Sequence, residues 1–180
     1  MMTFDLNRRG LRAFLGCLVL VSSIALLAHC DRPGRVERAL SWLVRDVPRH
    51  PVARDPVWRR ELAEMIEDTA SRYELPPLFL AALVYRESSL RTNARGALGE
   101  LGLGQLHGVA AEGCAMDTAA GQLECCARWL RKQIDRCGSL SGGFSLYASG
   151  RTCTPDTRHL RGVVRDRLAL WERLRGLDDE

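Results

Sequence analysis

A single carboxylate, Glu87, follows a wholly apolar segment, and a glycine-rich loop then leads to Gln105. The apolar segment, LFLAALVY at 78–85, predicts a helix that is buried on every side. Burial removes the hydration that stabilises a carboxylate, and the C-terminal end of a helix is electrostatically negative. Both effects favour the protonated form of Glu87. A carboxyl group held protonated near neutral pH is what a general acid requires, whereas a helix-terminal Glu that faces water has no such role.

Helices are predicted on both sides of this segment. Asp55-Pro56 is a typical helix start, and the apolar residues that follow recur at helical spacing. Similar spacing predicts helices over 77–88, 118–136, 139–149 and 160–174, the last with arginines on its opposite face. The polar, glycine-rich stretch 91–101 predicts a loop or small hairpin, and 102–111 a short helix. The fold class is therefore all-α, or α with a small loop hairpin.

The N-terminus predicts export. Arg8, Arg9 and Arg12 precede an uncharged apolar run over 13–28, which ends close to Cys30. A basic start, an apolar run and small residues after it are the parts of an export signal. We interpret residues 1–30 as a signal peptide, a lipoprotein signal lipidated at Cys30, or a signal anchor that attaches the chain to the membrane. The expected location is the periplasm or cell envelope. Residues 31–56, rich in Arg and Pro, are interpreted as a linker with one marginal helix.

The charge of the chain excludes one class of function. Formal net charge is +4, and removal of Arg8, Arg9, Arg12 and Asp5 leaves 23 basic and 21 acidic residues. This balance is too even for a dedicated nucleic-acid binder, and no basic stripe interleaved with aromatic residues occurs. We therefore expect no nucleic-acid partner.

Cysteines are concentrated in the C-terminal half of the chain. In an exported protein, such clustering predicts disulfides. The candidates are Cys114, Cys125, Cys126, Cys137 and Cys153. Cys125 and Cys126 are neighbours on a predicted helix, so they point in different directions and are expected not to pair with each other. Two bridges among five thiols leave one free, unless Cys30 takes part. Zinc is the competing interpretation, but only His107 and His159 lie nearby, and we expect no metal or other cofactor.

Three motifs around these residues resemble those of the lytic transglycosylase catalytic domain, the SLT family of the goose-type-lysozyme-like superfamily. The motifs are Glu87-Ser88, GELGLGQ at 99–105 and YASG at 147–150, and the spacing from Glu87 to Gln105 matches without a gap. The upstream sequence SRYELPPLFLAALVYRES is similar as well, so the resemblance covers about residues 57–150. It implies a lysozyme-like helical domain over 57–176, crosslinked here by disulfides and followed by an acidic tail at 177–180.

The resemblance implies cleavage of the bond between N-acetylmuramic acid and N-acetylglucosamine in peptidoglycan strands, without water. Glu87 acts first as the general acid and then as the base. The implied substrate-binding residues are Ser88, Leu103, Gly104, Gln105 and Tyr147, and Tyr147 also helps to hold the Glu87 carboxyl. The muramoyl 6-hydroxyl is the nucleophile, so no second catalytic carboxylate is needed. Wall turnover, a secretion or envelope assembly, and a phage are all compatible with this activity.

Two departures from the family pattern leave alternatives open. Gly104 stands where the family usually has Met, which removes a side chain from the expected cleft wall, and Ala148 stands where it usually has Asn. One alternative is a muramidase that hydrolyses the same bond, with Glu100 or Asp117 as the second carboxylate. Another is a catalytically weak wall-binding module, which Ala148 favours. A third is an all-α disulfide-crosslinked protein without enzymatic activity.

Overall fold

The computed structural model describes residues 33–178, and this part of the chain is all-α, with two disulfides. Residues 34–178 belong to one compact unit. Its seven α-helices are α1 Arg35–Val44, α2 Pro51–Arg54, α3 Pro56–Arg72, α4 Pro77–Ser88, α5 Ala119–Cys137, α6 Leu140–Ser149 and α7 Arg158–Arg175. The predicted signal at 1–30 lies outside the described residues. Across residues 33–178, no helix has the length and apolar character needed to cross a membrane.

The core is built around α4, which packs against α1, α3 and α7. Pro77 occupies the first turn of this helix, where a missing N–H leaves no hydrogen bond broken. Residues 78–84 are each at most 4% exposed, which confirms that the helix is buried on every side. Phe79 stacks on Phe144 of α6 with ring centroids 4.2 Å apart, and it meets Trp171 of α7 edge-on at 5.2 Å. The catalytic candidate therefore follows a segment that is enclosed on every side by close-packed side chains.

Residues 35–54, which fall within the predicted linker, pack into this core instead. The buried face of α1 consists of Val36, Ala39, Leu40, Leu43 and Val44. Glu37 is also buried, and its carboxylate lies 3.5 Å from Nε of Arg59 on α3. His50 caps the short helix α2, because its Nδ1 accepts a hydrogen bond from the Val52 amide. An apolar stripe at helical spacing and a buried ion pair outweigh the linker-like composition.

The segment between α4 and α5 is a loop with two isolated antiparallel bridges. Leu101 pairs with both Arg95 and Leu106, which agrees with the small hairpin considered for 91–101. The short helix predicted over 102–111 is limited to a 3-10 turn at Gly108–Ala111. Backbone conformation explains the difference, because Gly102 and Gln105 adopt φ of +68° and +48°, outside the right-handed helical region.

Two disulfides crosslink the C-terminal half. Cys114 pairs with Cys125, and Cys137 pairs with Cys153, with Cα atoms 5.9 and 5.4 Å apart. Cys126 is buried and free. The prediction of two bridges with one thiol left over is thus confirmed for these five cysteines, and Cys125 and Cys126 do face different directions.

Candidate active site

Glu87 lies in the last turn of α4, and its side chain is 14% exposed. The helix ends here because Ser89 and Leu90 both adopt left-handed φ, of 52° and 62°. His50 fixes this turn: its Nε2 lies 2.6 Å from the Ser89 carbonyl oxygen. Because Nδ1 of the same ring accepts a hydrogen bond from the Val52 amide, the ring proton is on Nε2. Nε2 therefore donates a hydrogen bond to the Ser89 carbonyl oxygen. The backbone that orients Glu87 is therefore held by a residue from the segment interpreted as a linker.

The Glu87 carboxylate forms an ion pair with Arg167 of α7, in which Nη2 lies 2.5 Å from Oε1. The Arg167 side chain is 12% exposed, and its Nη1 donates to the Val163 carbonyl at 3.2 Å. The expectation of a protonated acid was based on burial and on the helix end, and it did not include this contact with Arg167.

Arg167 was not among the predicted site residues, and the sequence has no clear signal for it. The apolar stripe of α7 consists of Leu160, Val164, Leu168, Trp171 and Leu174, and it has no gap that Arg167 would fill. The sequence analysis assigned the arginines of this helix to the opposite face, which is wrong for Arg167, because its side chain is only 12% exposed. Only the packing of α7 against α4 brings Arg167 to Glu87.

Tyr147 does not hold the Glu87 carboxyl as the resemblance implied. Its hydroxyl donates instead to the Gly104 carbonyl at 2.7 Å and lies 3.4 Å from Sγ of Cys126. Burial raises the pKa of Tyr147 well above its ordinary value, and burial also raises the pKa of the Cys126 thiol to about 12. Both groups are therefore neutral at physiological pH. Tyr147 connects α6 to the glycine-rich loop, while part of the residue still faces the cleft.

Gly104 is buried and packs tightly against α5 and α6. A Cβ placed on Gly104 would lie 2.8 Å from Cβ of Cys126 and 3.0 Å from Oη of Tyr147. The side chain that the family pattern has here would meet these two residues. The expectation that Gly104 leaves a gap in the cleft wall is therefore wrong, since Cys126 and Tyr147 fill that space.

Gln105 faces the cleft from a strained turn that Gln122 holds in place. Gln105 adopts φ of +48°, and its Nε2 donates to the Gly102 carbonyl at 2.9 Å. Gln122 of α5 is buried; its Oε1 accepts from the Leu103 amide at 2.9 Å, and its Nε2 donates to Thr92 and Met116 carbonyls. A Cβ on Gly102 would lie 2.4 Å from the Gln122 amide, so only glycine allows this approach.

A cleft of about 490 Å³ brings together Glu87, Gln105 and Tyr147. Glu100 lines the same cleft, whereas Asp117 is exposed and is not among the lining residues. Backbone amides, its own and that of Leu98, hydrogen-bond to the Glu100 carboxylate and lower its pKa. Glu100 is therefore a carboxylate at neutral pH. The cleft thus contains two carboxyl groups. Glu87 is paired with the Arg167 guanidinium, whereas Glu100 has no such partner among the described residues.

Three residues predicted to bind substrate lie behind the cleft instead of lining it. Ser88 is 6% exposed, and its hydroxyl donates to the Val84 carbonyl of α4 at 3.0 Å. Leu103 is 0% exposed and belongs to the core, and Gly104 contacts Cys126 and Tyr147. Ala148, by contrast, lies exposed in the cleft wall. The structure therefore gives Ser88, Leu103 and Gly104 structural positions and keeps Glu87, Gln105 and Tyr147 in the cleft.

These features define an all-α, disulfide-crosslinked domain with a cleft beside a carboxylate–guanidinium pair. Within residues 33–178, no group of three or more His, Cys, Asp or Glu side chains is arranged to hold a metal ion. No protein-family model matches the chain, and no curated protein or solved structure matches it significantly.

Proposed function

We propose that this protein is an exported lytic transglycosylase that cleaves peptidoglycan between N-acetylmuramic acid and N-acetylglucosamine. One observation carries the proposal: Glu87, Gln105 and Tyr147, one from each of the three motifs that resemble the SLT family, line a single cleft. They come from α4, the glycine-rich loop and α6, so their meeting is a property of the tertiary structure and not of sequence proximity.

In the proposed reaction, protonated Glu87 donates its proton to the glycosidic oxygen as the bond from that oxygen to the muramoyl C1 breaks. The resulting carboxylate then takes the proton of the muramoyl 6-hydroxyl, whose oxygen bonds to C1 and closes a 1,6-anhydro ring. Glu87 ends in its starting state, and no water enters. Gln105 is placed to hydrogen-bond sugar hydroxyl or acetamido groups. The ion pair with Arg167 must open before the first step, because a paired carboxylate has no proton to donate.

A hydrolytic muramidase is the second candidate, and the position of Glu100 favours it. An inverting hydrolase needs an acid and a separate carboxylate that activates water. Glu100 lines the cleft with Glu87, and its backbone hydrogen bonds keep it ionised, as a general base requires. Asp117 lies outside the cleft and is no longer a candidate for this role.

A digest of purified peptidoglycan, followed by mass spectrometry of the products, tests the proposal. The full chain is expected to release muropeptides one water lighter than hydrolysed ones, and Glu87→Gln to lower the rate by about 10²–10⁴-fold. Asp117→Asn is the matched control, an exposed carboxylate outside the cleft, and should retain activity. Reducing-end products that depend on Glu100 would identify the muramidase. No products from folded protein would favour the wall-binding module.

Export is part of the proposal and rests on two features. The N-terminal sequence has the order of an export signal, and the two disulfides are typical of an oxidising compartment such as the periplasm or cell envelope. Intact-mass analysis of the chain purified from cells distinguishes a cleaved signal, a lipid on Cys30 and an uncleaved anchor. A full-length, reduced chain in the cytosol would contradict export.

A further inference from the structure

We propose that the Cys114–Cys125 disulfide is a redox-active site, and that a dithiol reductant opens it before it opens the Cys137–Cys153 disulfide. A contact of Arg128 carries this proposal. Its Nη2 donates to Sγ of Cys114 at 3.3 Å and to Sγ of Cys125 at 3.7 Å. One guanidinium is therefore in contact with both sulfur atoms of the bridge. This chemistry is independent of the proposed cleavage of peptidoglycan.

The surroundings of Arg128 hold its charge beside the sulfur atoms. Arg128 lies one turn after Cys125 on α5, and its Nη2 also donates to the Glu112 carbonyl at 2.9 Å. Glu112 comes two residues before the first cysteine of the bridge, so this hydrogen bond keeps the guanidinium at the bridge. Glu124, one turn before Arg128, pairs with Arg72 at 2.6 Å instead. Among the described residues, no carboxylate therefore neutralises Arg128.

A cation at this place favours thiol–disulfide exchange. Cys125 is 3% exposed and Cys114 is half-buried, so a thiolate of the reductant reaches Sγ of Cys114. A bond forms between these two sulfur atoms, the bond between Cys114 and Cys125 breaks, and its electron pair leaves with Cys125 as a thiolate. A neighbouring guanidinium stabilises a thiolate, and a more stable thiolate is a better leaving group.

The second thiol of the reductant completes the reaction. As a thiolate, it attacks the reductant sulfur of the mixed disulfide, so Cys114 leaves as a thiolate and the reductant becomes a disulfide. Two electrons thus pass from the dithiol to the protein, and the two protons of the dithiol pass to the cysteines through solvent. Arg128 stabilises the leaving sulfur in both steps, because it contacts Cys114 as well as Cys125.

The Cys137–Cys153 disulfide provides the comparison within the molecule. Both of its cysteines are half-buried, whereas Cys125 is almost fully enclosed. Access alone therefore favours reduction of Cys137–Cys153 first. In the part of the chain that the structure describes, Arg128 is the one charged side chain that donates to a disulfide sulfur. The order in which the two bridges open therefore separates the effect of charge from the effect of access.

Gln122 connects the bridge to the glycine-rich loop of the cleft. The segment 114–125, which the bridge closes, contains Met116, whose carbonyl accepts from Nε2 of Gln122 at 2.9 Å. Oε1 of the same side chain accepts from the Leu103 amide at 2.9 Å, two residues before Gln105. Opening of the bridge frees the segment that carries Met116 and weakens this support. Reduction should therefore loosen the turn that presents Gln105 to the cleft.

Timed reduction of the oxidised full chain with dithiothreitol tests the redox site. After an acid quench, free thiols are alkylated and located by mass spectrometry. Cys114 and Cys125 should be labelled before Cys137 and Cys153. Cys126 is buried and free, so its labelling reports unfolding and must come later than that of Cys114 and Cys125. Simultaneous reduction of the two bridges, or earlier reduction of Cys137–Cys153, would overturn the proposal without the need for any variant.

Variants of Arg128 test the cause of the preference. Arg128→Gln should slow reduction of Cys114–Cys125 by about 3-fold, because the leaving thiolate loses its cation, and Arg128→Lys should stay close to wild type. Arg131→Gln is the matched control on the same helix, since Arg131 pairs with Asp135 and makes no contact with a disulfide sulfur. Equal rates for wild type and a folded Arg128→Gln would refute the role of Arg128.

Hydrogen exchange of the oxidised and the partly reduced wild-type chain tests the link to the cleft. Amides over 101–106 should lose protection when Cys114–Cys125 opens, while those of α6 change less. Unchanged exchange over 101–106 would refute this link. Preferential reduction in a chain that cleaves no peptidoglycan would retain the redox site and refute the proposed function. Cleavage by a chain whose two bridges open together would do the reverse.

Discussion

The two sides of the cleft are stabilised by different means. The side that carries Glu87, α1 to α4, relies on buried apolar side chains and on the His50 hydrogen bonds. The side that carries Tyr147 also has buried apolar side chains, among them Leu130 and Phe144. Its helices approach each other closely, since a Cβ on Gly143 of α6 would lie 2.4 Å from Ile134 of α5, and it contains both disulfides. In the described part of the chain, covalent crosslinks thus add to the apolar core on one side of the cleft.

Among the variants that test this comparison, removal of the Cys137–Cys153 bridge should reduce the stability of the protein most. The bridge spans 16 residues and joins the end of α5 to the segment after α6. Replacement of both cysteines by Ser should lower the free energy of unfolding by about 3 kcal/mol, because the unfolded chain gains conformational freedom. Denaturant unfolding measures the loss, and hydrogen exchange should rise most in α6.

The Cys114–Cys125 bridge provides the comparison variant. It spans 11 residues. Because the loop-closure entropy depends only on the logarithm of the loop length, its removal should also lower the free energy of unfolding by about 3 kcal/mol. Its loss should leave exchange in α6 closer to wild type. An unchanged free energy of unfolding in both variants would show that apolar packing alone stabilises this side.

Gly104→Ala should have the next largest effect, at the point where the two sides meet. The added methyl group would overlap Cys126 and Tyr147, and overpacking of this kind costs about 1–3 kcal/mol. Gly162→Ala is the matched control, because nothing lies within 4 Å of its Cβ position in α7. It should stabilise the helix by about 0.5–1 kcal/mol. Equal midpoint temperatures of thermal unfolding for the two variants would contradict the tight packing at Gly104.

Periodicity and helix starts were sufficient to predict most of the framework. Helices α4 to α7 lie within two residues of the segments predicted for them, and α3 begins at the predicted Pro56, because each has an apolar stripe or a capping residue that acts locally. The composition of 78–85 also predicted the burial of α4 correctly. The number of disulfides followed from the cysteine count, but their connectivity did not, since it depends on which helix ends meet.

Contacts between distant segments could not be predicted. Residues 36, 39, 40, 43 and 44 have helical spacing, yet the surrounding Arg and Pro indicated a linker, and only packing against α3 and α4 decides between the two. The ion pair of Glu87 with Arg167 and the hydrogen bond of His50 with Ser89 join residues 80 and 39 positions apart. The resemblance supplied the motif residues but neither of these partners, because neither belongs to its motifs.

The smallest predicted effect on stability concerns His50, which supports the side of the cleft that carries Glu87. Burial lowers the pKa of His50 below 6.5, the hydrogen bond to Ser89 partly opposes this, and Arg91 lowers it further. Below about pH 6.5 the unfolded chain therefore binds a proton that the folded chain does not, so the free energy of unfolding decreases as pH falls through this range.

His50→Gln keeps an amide donor but cannot titrate. Its difference in unfolding free energy from wild type should narrow between about pH 7.5 and about pH 5, since all other groups cancel in the difference. A constant difference for His50→Gln would mean that His50 supports the Glu87 turn by hydrogen bonding alone, without a dependence on pH.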